Sequence, residues 1–259
     1  MKDIDHIYEK IGQCDDQIIA ALAERMSYIE EIVEITKAKE IPIFQSQQEE
    51  EQVQRIKDKI EGHIYQDEIQ NIFQDILENS RKIQRKGLFS YNLMLIGFMG
   101  TGKSSVSRYL SKMLAMEEVE VDDIIAKKEG MSINQIFQQY GEDYFRNCES
   151  NTLIELQEKS SVIVSCGGGA VLRPENVAHM KKNGRIVLLT ASPETIFNRV
   201  RYSKERPILN HNMNVDFIKE LMEKRREKYE SAADVVIHTD YKSIEEIGEE
   251  LIKKLITSR

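Results

Sequence analysis

The chain has 259 residues, 41% of them hydrophobic and 31% charged, which is enough for one large or two modest domains. Its net charge of −8 argues against a general nucleic-acid binder, and neither a membrane span nor a signal-peptide core is found in the sequence. Three scattered cysteines, Cys14, Cys148 and Cys166, match no disulfide or metal framework, so we expect a cytoplasmic protein.

The first 86 residues predict an all-helical domain of three helices. Apolar residues at helical spacing predict one long helix over residues 3–39, which Pro42 ends. The same spacing predicts a second helix at 46–60 and a third at 65–84. A run of cations followed by Gly87 is typical of a helix end, so we expect the third helix to stop there.

One long and two shorter helices form a thin bundle, which buries its own apolar stripes poorly. This favours a homodimer that associates through the N-terminal helices. A monomeric bundle or a coiled-coil arm is the alternative. Residues 1–88 hold 12 Lys+Arg and 19 Asp+Glu, a net of −7, so the acidity of the chain is concentrated here.

Residues 97–104 read G-F-M-G-T-G-K-S, the pattern of a phosphate-binding loop. An apolar run at 92–96 precedes it and a helical pattern follows, which is the context that the loop needs. Lys103 could reach the β- and γ-phosphates, and Ser104 could place its hydroxyl on Mg²⁺. The predicted nucleotide-binding residues here are Gly100, Thr101, Gly102, Lys103, Ser104 and Ser105. A structural glycine turn is the alternative.

After the loop, strand-like runs alternate with helical patterns. The strand-like runs are residues 92–96, 162–165, 186–189 and 235–237. Such alternation predicts an α/β domain in which helices cover both faces of a parallel sheet.

Four further signals carry chemistry. Glu120 and Asp122 could hold Mg²⁺ or accept hydrogen bonds from substrate hydroxyls, and Arg146 could clamp a carboxylate. The glycines at 167–169 would let backbone amides approach a ligand. Three of the later cations are Arg199, Arg206 and Arg225. Each signal also has a plain structural interpretation, namely a helix cap, a turn or a solvated helix face.

Together, these motifs resemble shikimate kinase over residues 91–259: the phosphate loop, F-R-x-x-E, G-G-G-A-V and R-P occur in order. The resemblance implies a P-loop kinase fold similar to nucleoside monophosphate kinases, with a five-stranded parallel sheet. It also implies transfer of the γ-phosphate of ATP to the 3-hydroxyl of shikimate, a step of aromatic amino-acid biosynthesis, with Mg²⁺ as cofactor.

The resemblance also implies residue roles. Asp122 would grip the shikimate hydroxyls and orient or deprotonate the attacking one, with Arg146 and Arg225 on the carboxylate. Arg206 would reach from a lid at 200–215 toward the phosphates, and Arg199 would lie against the adenine. The implied catalytic set is Lys103, Asp122 and Arg206, the substrate-binding set adds Gly167, Gly168 and Gly169, and the metal set is Ser104 and Glu120. Glu120 replaces the aspartate usual at the metal.

Residues 3–86 resemble the all-helical class of chorismate mutases, intertwined homodimers that convert chorismate to prephenate. The matching positions are Arg25, Glu49, Ser80 and Gln84. Three cations of the pattern are lost, since Tyr8, Thr36 and Gln48 occupy their places. Lys39 could replace the cation at Thr36, because it lies three residues later on the same helix face.

We therefore expect two domains, a mutase-like domain at 1–86 and a kinase domain at 91–259. The mutase-like domain is expected to have low or no activity and to serve dimerisation or regulation. The first alternative is a bifunctional enzyme that also makes prephenate. The second is a P-loop ATPase switch that has no small-molecule acceptor.

Overall fold

The structure is a computed structural model that describes residues 4–39, 46–201 and 214–257, and of 46–49 only the helical backbone. The chain forms two compact units, Met1–Leu88 and Phe89–Arg259. None of the helices in these ranges combines the length and apolar character that crossing a bilayer requires.

The first unit consists of three helices, as the sequence predicted. They are α1 (Ile4–Lys39), α2 (Ser46–Ile60) and α3 (Gln66–Leu88). In α1 only Val33 and Thr36 are buried, although apolar residues recur along the whole helix. Pro42, the predicted helix breaker, lies outside the described residues.

The helical pattern of α3 was predicted to about residue 84 with Gly87 as its end, but Gly87 lies inside the helix, which ends at Leu88. A Cβ at Gly87 would lie 2.5 Å from Cγ1 of Val33 in α1. The glycine therefore serves the close approach of α1 and α3 and does not cap a helix.

The second unit is built on a parallel five-stranded sheet, in agreement with the expected kinase fold. Its strands are β1 (Asn92–Ile96), β2 (Glu117–Glu120), β3 (Val162–Ser165), β4 (Gly184–Thr190) and β5 (Val235–His238), in the order β2-β3-β1-β4-β5. The apolar runs predicted β1, β3, β4 and β5. They missed β2, because its sequence is Glu-Glu-Val-Glu and only Val119 is buried at this sheet edge.

Helices cover both faces of the sheet. Met94 and Ile96 of β1 pack in a core cluster with Ile136 and Phe145, and the alternate residue Leu95 is completely buried on the opposite side. The helices are α4 (Lys103–Leu114), α5 (Val121–Glu129), α6 (Ile133–Glu155, kinked at Gly141), α7 (Pro174–Lys182), α8 (Pro193–Val200), α9 (Val215–Ala232) and α10 (Ile244–Thr257). Short three-ten turns occupy Leu156–Glu158 and Ala170–Leu172.

The carboxyl ends of all five strands meet at one edge, where ligands bind in such sheets. β1 leads into the phosphate loop, β2 ends at Glu120, and β3 leads into Gly167–Gly169. β4 and β5 end at Thr190 and His238 beside them.

Candidate active site

The phosphate loop turns directly into α4, whose first residue is Lys103. Gly102 precedes it in the left-handed region, with φ 96°, and no side chain caps the helix. The first-turn N–H groups of α4 therefore have no side-chain acceptor at the cap, which leaves them suited to an anion. The Lys103 Nζ donates to the carbonyls of Gly97 and Phe98 at 2.9 and 3.1 Å, so its charge lies over the loop.

A cavity of about 460 Å³ opens at this edge of the sheet. It brings together eleven of the predicted site residues, namely Gly100, Thr101, Gly102, Lys103, Ser104, Ser105, Glu120, Asp122, Gly167, Gly168 and Arg199. Phosphate-loop residues, both predicted carboxylates and Arg199 thus share one cavity, although Gly100 and Arg199 are 99 residues apart in the sequence.

The carboxylate of Glu120 fits a cation site. Its Oε1 is buried and has no hydrogen-bond partner among the described residues. A buried carboxylate oxygen without a donor is costly unless a cation or its water shell satisfies it. Ser104, the predicted hydroxyl ligand, lines the same cavity. The donor set of hydroxyl and carboxylate oxygens therefore suits Mg²⁺.

Arg146 projects from α6 into a buried ion pair. Its side chain is 8% exposed, and its Nη1 lies 2.8 Å from Oε2 of the fully buried Glu149. Nη2 and Nε donate to Oε1 of Glu142 at 3.0 and 3.2 Å. Burial raises the pKa of Glu149, although Arg146 opposes this shift. Two carboxylates thus fix the position of this guanidinium.

The glycine loop packs tightly against these groups. A Cβ at Gly169 would lie 2.3 Å from the guanidinium of Arg146, and one at Gly167 would lie 2.6 Å from Oε1 of Glu149. The Gly167 Cβ would also lie 3.1 Å from Oδ1 of Asp122. Glycine at both positions therefore lets the charged side chains lie directly against the loop, and a side chain there would displace them.

α9 contributes the second predicted carboxylate-binding arginine. The Nη1 of Arg225 donates to the carbonyl of Gly168 at 3.2 Å, and its guanidinium lies 5.9 Å from the ring centroid of Phe98. The hydroxyl of Tyr229 donates to the same carbonyl. Burial raises the pKa of Tyr229 to about 12, so it stays a hydrogen-bond donor. Arg146 and Arg225 therefore both contact the glycine loop.

Arg199 joins the phosphate loop to the end of β5. Its Nη1 donates to the carbonyl of Gly100 at 3.3 Å and to the hydroxyl of Thr239 at 3.0 Å, and its Nη2 donates to the Thr239 carbonyl. Arg206 and most of the predicted lid lie outside the described residues.

The sequence reasoning gave no role to Glu149, Tyr229 or Thr239. Glu149 follows Arg146 by three residues and Tyr229 follows Arg225 by four, so helical spacing was a signal for both. Thr239 meets Arg199 across 40 residues, and nothing local in the sequence indicates that contact.

In the helical unit, two of the mutase-like positions meet. Arg25 donates to the hydroxyl of Ser80, which in turn donates to the Ile76 carbonyl at 2.8 Å. Gln84 is half-buried on α3, and the Glu49 side chain lies outside the described residues.

No lysine takes the place of the cation that the mutase pattern has at Thr36, within the described part of the helical unit. Thr36 is 2% exposed, so the place where a lysine is expected is a buried hydroxyl. Lys39, the candidate replacement, is exposed at the last residue of α1. Lys37 is paired with Glu34 at 2.6 Å.

Comparison with known proteins gives two family matches. Residues 99–256 match the family Shikimate kinase, and residues 7–85 match Chorismate mutase type II. A shikimate kinase of Thermodesulfovibrio yellowstonii is 42% identical over 163 residues, 63% of this chain and 94% of that protein. One of Dehalococcoides mccartyi is 43% identical over 164 residues, 63% of this chain and 93% of that protein.

Solved structures agree with the shikimate kinase match. A shikimate kinase from Acinetobacter baumannii in complex with shikimate has a TM-score of 0.63 and 30% identity, and the match covers 67% of this chain and 97% of that one. A shikimate kinase from Aquifex aeolicus has a TM-score of 0.56 and 40% identity, covering 63% of this chain and 95% of that one.

Proposed function

Because the chain belongs to the shikimate kinase family, we propose that its second unit transfers the γ-phosphate of ATP to the 3-hydroxyl of shikimate. The observation that carries this proposal is one cavity that joins Lys103 of the phosphate loop to the carboxylate of Asp122. We assign the kinase to residues 91–259 and the helical domain to 1–86.

At the phosphate end, Lys103 and the backbone amides that open α4 bind the β- and γ-phosphates. Ser104 and Glu120 hold Mg²⁺, which when bound neutralises charge on the phosphates. Arg199 lies against the adenine, because its contacts with Gly100 and Thr239 fix it beside the loop. Arg206 reaches the phosphates from the lid.

At the acceptor end, Arg146 and Arg225 bind the carboxylate of shikimate. Both guanidiniums are largely buried, and both contact the loop Gly167–Gly169. In this proposal the loop lies beside the cyclohexene ring of shikimate. Asp122 accepts a hydrogen bond from the attacking hydroxyl and orients it or takes its proton.

The rate then depends on charge placement and positioning. Charge develops on the γ-phosphate oxygens and on the leaving oxygen, where Lys103 and the loop amides are already in place. No residue needs to form a covalent intermediate. The ion pair of Arg146 with Glu149 keeps the acceptor from shifting, which matters because an error of about 1 Å can cost roughly 10²-fold in rate.

The test is ADP release in the presence and absence of shikimate. Asp122→Asn should lower kcat by roughly 10²–10⁴-fold, because the general base is lost. Asp123→Asn is the matched control, since Asp123 is exposed and lies outside the cavity. ADP release that ignores shikimate would instead identify a P-loop ATPase switch.

For the helical unit we propose dimerisation through α1. Its apolar residues are exposed over most of the helix, including Ile4 at 66%, Ile18 at 55% and Ile19 at 64%. Contiguous exposed apolar surface of this kind marks a protein interface. Full-length protein should have the mass of a dimer by light scattering, and a chain lacking residues 1–86 should be monomeric. A truncated chain that remains a dimer contradicts this.

A second candidate function is conversion of chorismate to prephenate. It is favoured by the contact of Arg25 with Ser80 and disfavoured by the buried Thr36. We expect slow or no turnover, because one misplaced donor can cost about 10²–10³-fold in rate. Chorismate consumption, measured on the sample used for the kinase assay, decides between a bifunctional enzyme and a non-catalytic domain.

We also propose a cytoplasmic location. The cysteines are free thiols, with Cys14 exposed, Cys148 partly exposed and Cys166 buried, which suits a reducing compartment. Fractionation of expressing cells is the direct measurement.

A further inference from the structure

The second unit contains a further cavity of about 480 Å³, here called the β4–β5 cavity. It lies where the carboxyl ends of β4 and β5 meet α9, and its apolar lining includes Phe98, Leu188, Met222 and Val236. It shares no lining residue with the cavity at the phosphate loop. A cavity of several hundred Å³ with an apolar floor and few polar groups is typical of a small-molecule site.

The cavity forms where the sheet is unevenly covered, at the edge strand β5. Val235 and Ile237 point to one face of the sheet and are 5% and 0% exposed. The alternate residues Val236 and His238 point to the other face, where Val236 is half-buried and His238 is exposed. Leu188 of β4 pairs with Val236 in register, so both belong to the same apolar floor. An apolar sheet face needs a cover, and the described residues leave room for a ligand here.

The charges of the lining are balanced. Among its Lys, Arg, Asp and Glu residues, Lys219 and Arg226 are opposed by Glu223 and Glu230. Arg226 and Glu223 are also paired with each other at 2.6 Å. The cavity therefore offers an anion no excess of positive charge. A charged group that leaves water without gaining a counter-charge is unfavourable, so the cavity is complementary to an uncharged ligand.

Two polar side chains stand at the end of the apolar floor. Thr190 and His238 are the last residues of β4 and β5, are paired in register, and both line the cavity. Neither side chain has a hydrogen-bond partner among the described residues. A hydroxyl and an imidazole can each bond to a ligand hydroxyl. The ring of Phe98 and the thioether of Met222 favour an aromatic ring beside them.

We propose that the β4–β5 cavity binds an uncharged aromatic ring that carries a hydroxyl group, a phenol in chemical class. The ring packs against the apolar floor and Phe98, and its hydroxyl bonds to Thr190 and His238. ATP and shikimate are both anions, so this site is suited to neither substrate of the proposed kinase.

The test is a ligand-observed NMR titration of the full-length chain with 4-ethylphenol and with the anion 4-ethylbenzoate. The phenol is uncharged at pH 7, because phenols titrate near pH 10. It should bind, and the benzoate should bind roughly tenfold or more weakly, because its charge gains no counter-charge in the cavity.

Two variants locate the site. Val236→Phe adds a ring to the floor of the cavity and should abolish binding of the phenol. Thr190→Val keeps the shape of the side chain but removes its hydroxyl, and should weaken phenol binding by up to about tenfold. Ser231→Ala is the matched control, because it removes a hydroxyl that lies on α9 outside the cavity. A saturating non-hydrolysable ATP analogue should leave the affinity for the phenol unchanged.

Several results would overturn the proposal, given far-UV circular dichroism that shows each variant to be folded; Thr190→Val decides if Val236→Phe does not fold. Absence of phenol binding contradicts it directly, and equal binding of phenol and benzoate removes the role of charge. Binding that survives Val236→Phe, or that weakens equally in Thr190→Val and Ser231→Ala, places the ligand elsewhere. Competition by the ATP analogue places it in the nucleotide cavity. Because binding is measured without catalysis, failure here leaves the kinase proposal untouched.

Discussion

Replacing Gly169 with alanine separates substrate binding from nucleotide binding. The new Cβ would lie 2.3 Å from the guanidinium of Arg146, below the 3.0 Å that real Cβ contacts respect. The guanidinium must therefore move by at least 0.7 Å, the difference between these two distances. It can do so because it is the far end of a flexible side chain, so the fold survives. The movement strains its 2.8 Å contact with Glu149.

The substitution should impair the use of shikimate and leave the binding of ATP unchanged. A displacement approaching 1 Å of a carboxylate clamp can cost roughly 10²-fold, so we expect kcat/KM for shikimate to fall by about that factor in Gly169→Ala. The phosphate loop is not touched, so the KM for ATP should stay within about twofold of wild type. The assay is coupled ADP release with each substrate varied in turn.

Gly168→Ala is the matched control, because its Cβ would meet its nearest neighbour, the carbonyl oxygen of Gly97, at an ordinary 3.6 Å. We expect a much smaller change in this variant. The reasoning is refuted if Gly169→Ala keeps the wild-type KM for shikimate, or if both alanines impair the enzyme equally. A parallel rise in the KM for ATP would show that the damage is general.

Three further changes test the fold and the site. Gly87→Ala should destabilise the helical unit by about 1–3 kcal/mol in urea titration, because its Cβ would lie 2.5 Å from a methyl group of Val33 in α1. Gly12→Ala, in open space, should instead stabilise the unit by up to about 1 kcal/mol. Equal effects of the two changes would contradict this reasoning. Tyr229→Phe should raise the KM for shikimate by up to about tenfold and leave the KM for ATP unchanged, because a hydrogen bond to the Gly168 carbonyl is lost. An unchanged KM for shikimate would mean that this bond does not position the glycine loop. Burial alone would raise the pKa of Asp240, but hydrogen bonds from Thr195 and from the backbone and side chain of Ser192 hold it below its usual 3.8. The Asp240 carboxylate therefore stabilises the fold above that value, and this stabilisation is lost as pH falls through the lower folded pKa. Asp240→Asn should flatten the fall of the free energy of unfolding below about pH 4, and an acid profile identical to wild type would refute this.

The sequence predicted the helices of the first unit and four strands of the second, because each has an apolar pattern of the right period. It missed β2, in which a single valine is buried at a sheet edge and the other three residues are acidic. It also ended α3 too early, because a glycine that packs against Val33 has the same local pattern as a helix cap.

The sequence by itself determined the phosphate loop, the alternation of strands and helices and the likeness of both units to known families. These properties are local, since residues a few positions apart set the turn, the helix and the buried strand. Only the tertiary structure decided which charges meet, because such contacts join distant parts of the chain. Arg146 reaches Gly169, Arg225 reaches Gly168, and Arg199 reaches Thr239 only after parallel strands bring their carboxyl ends to one edge.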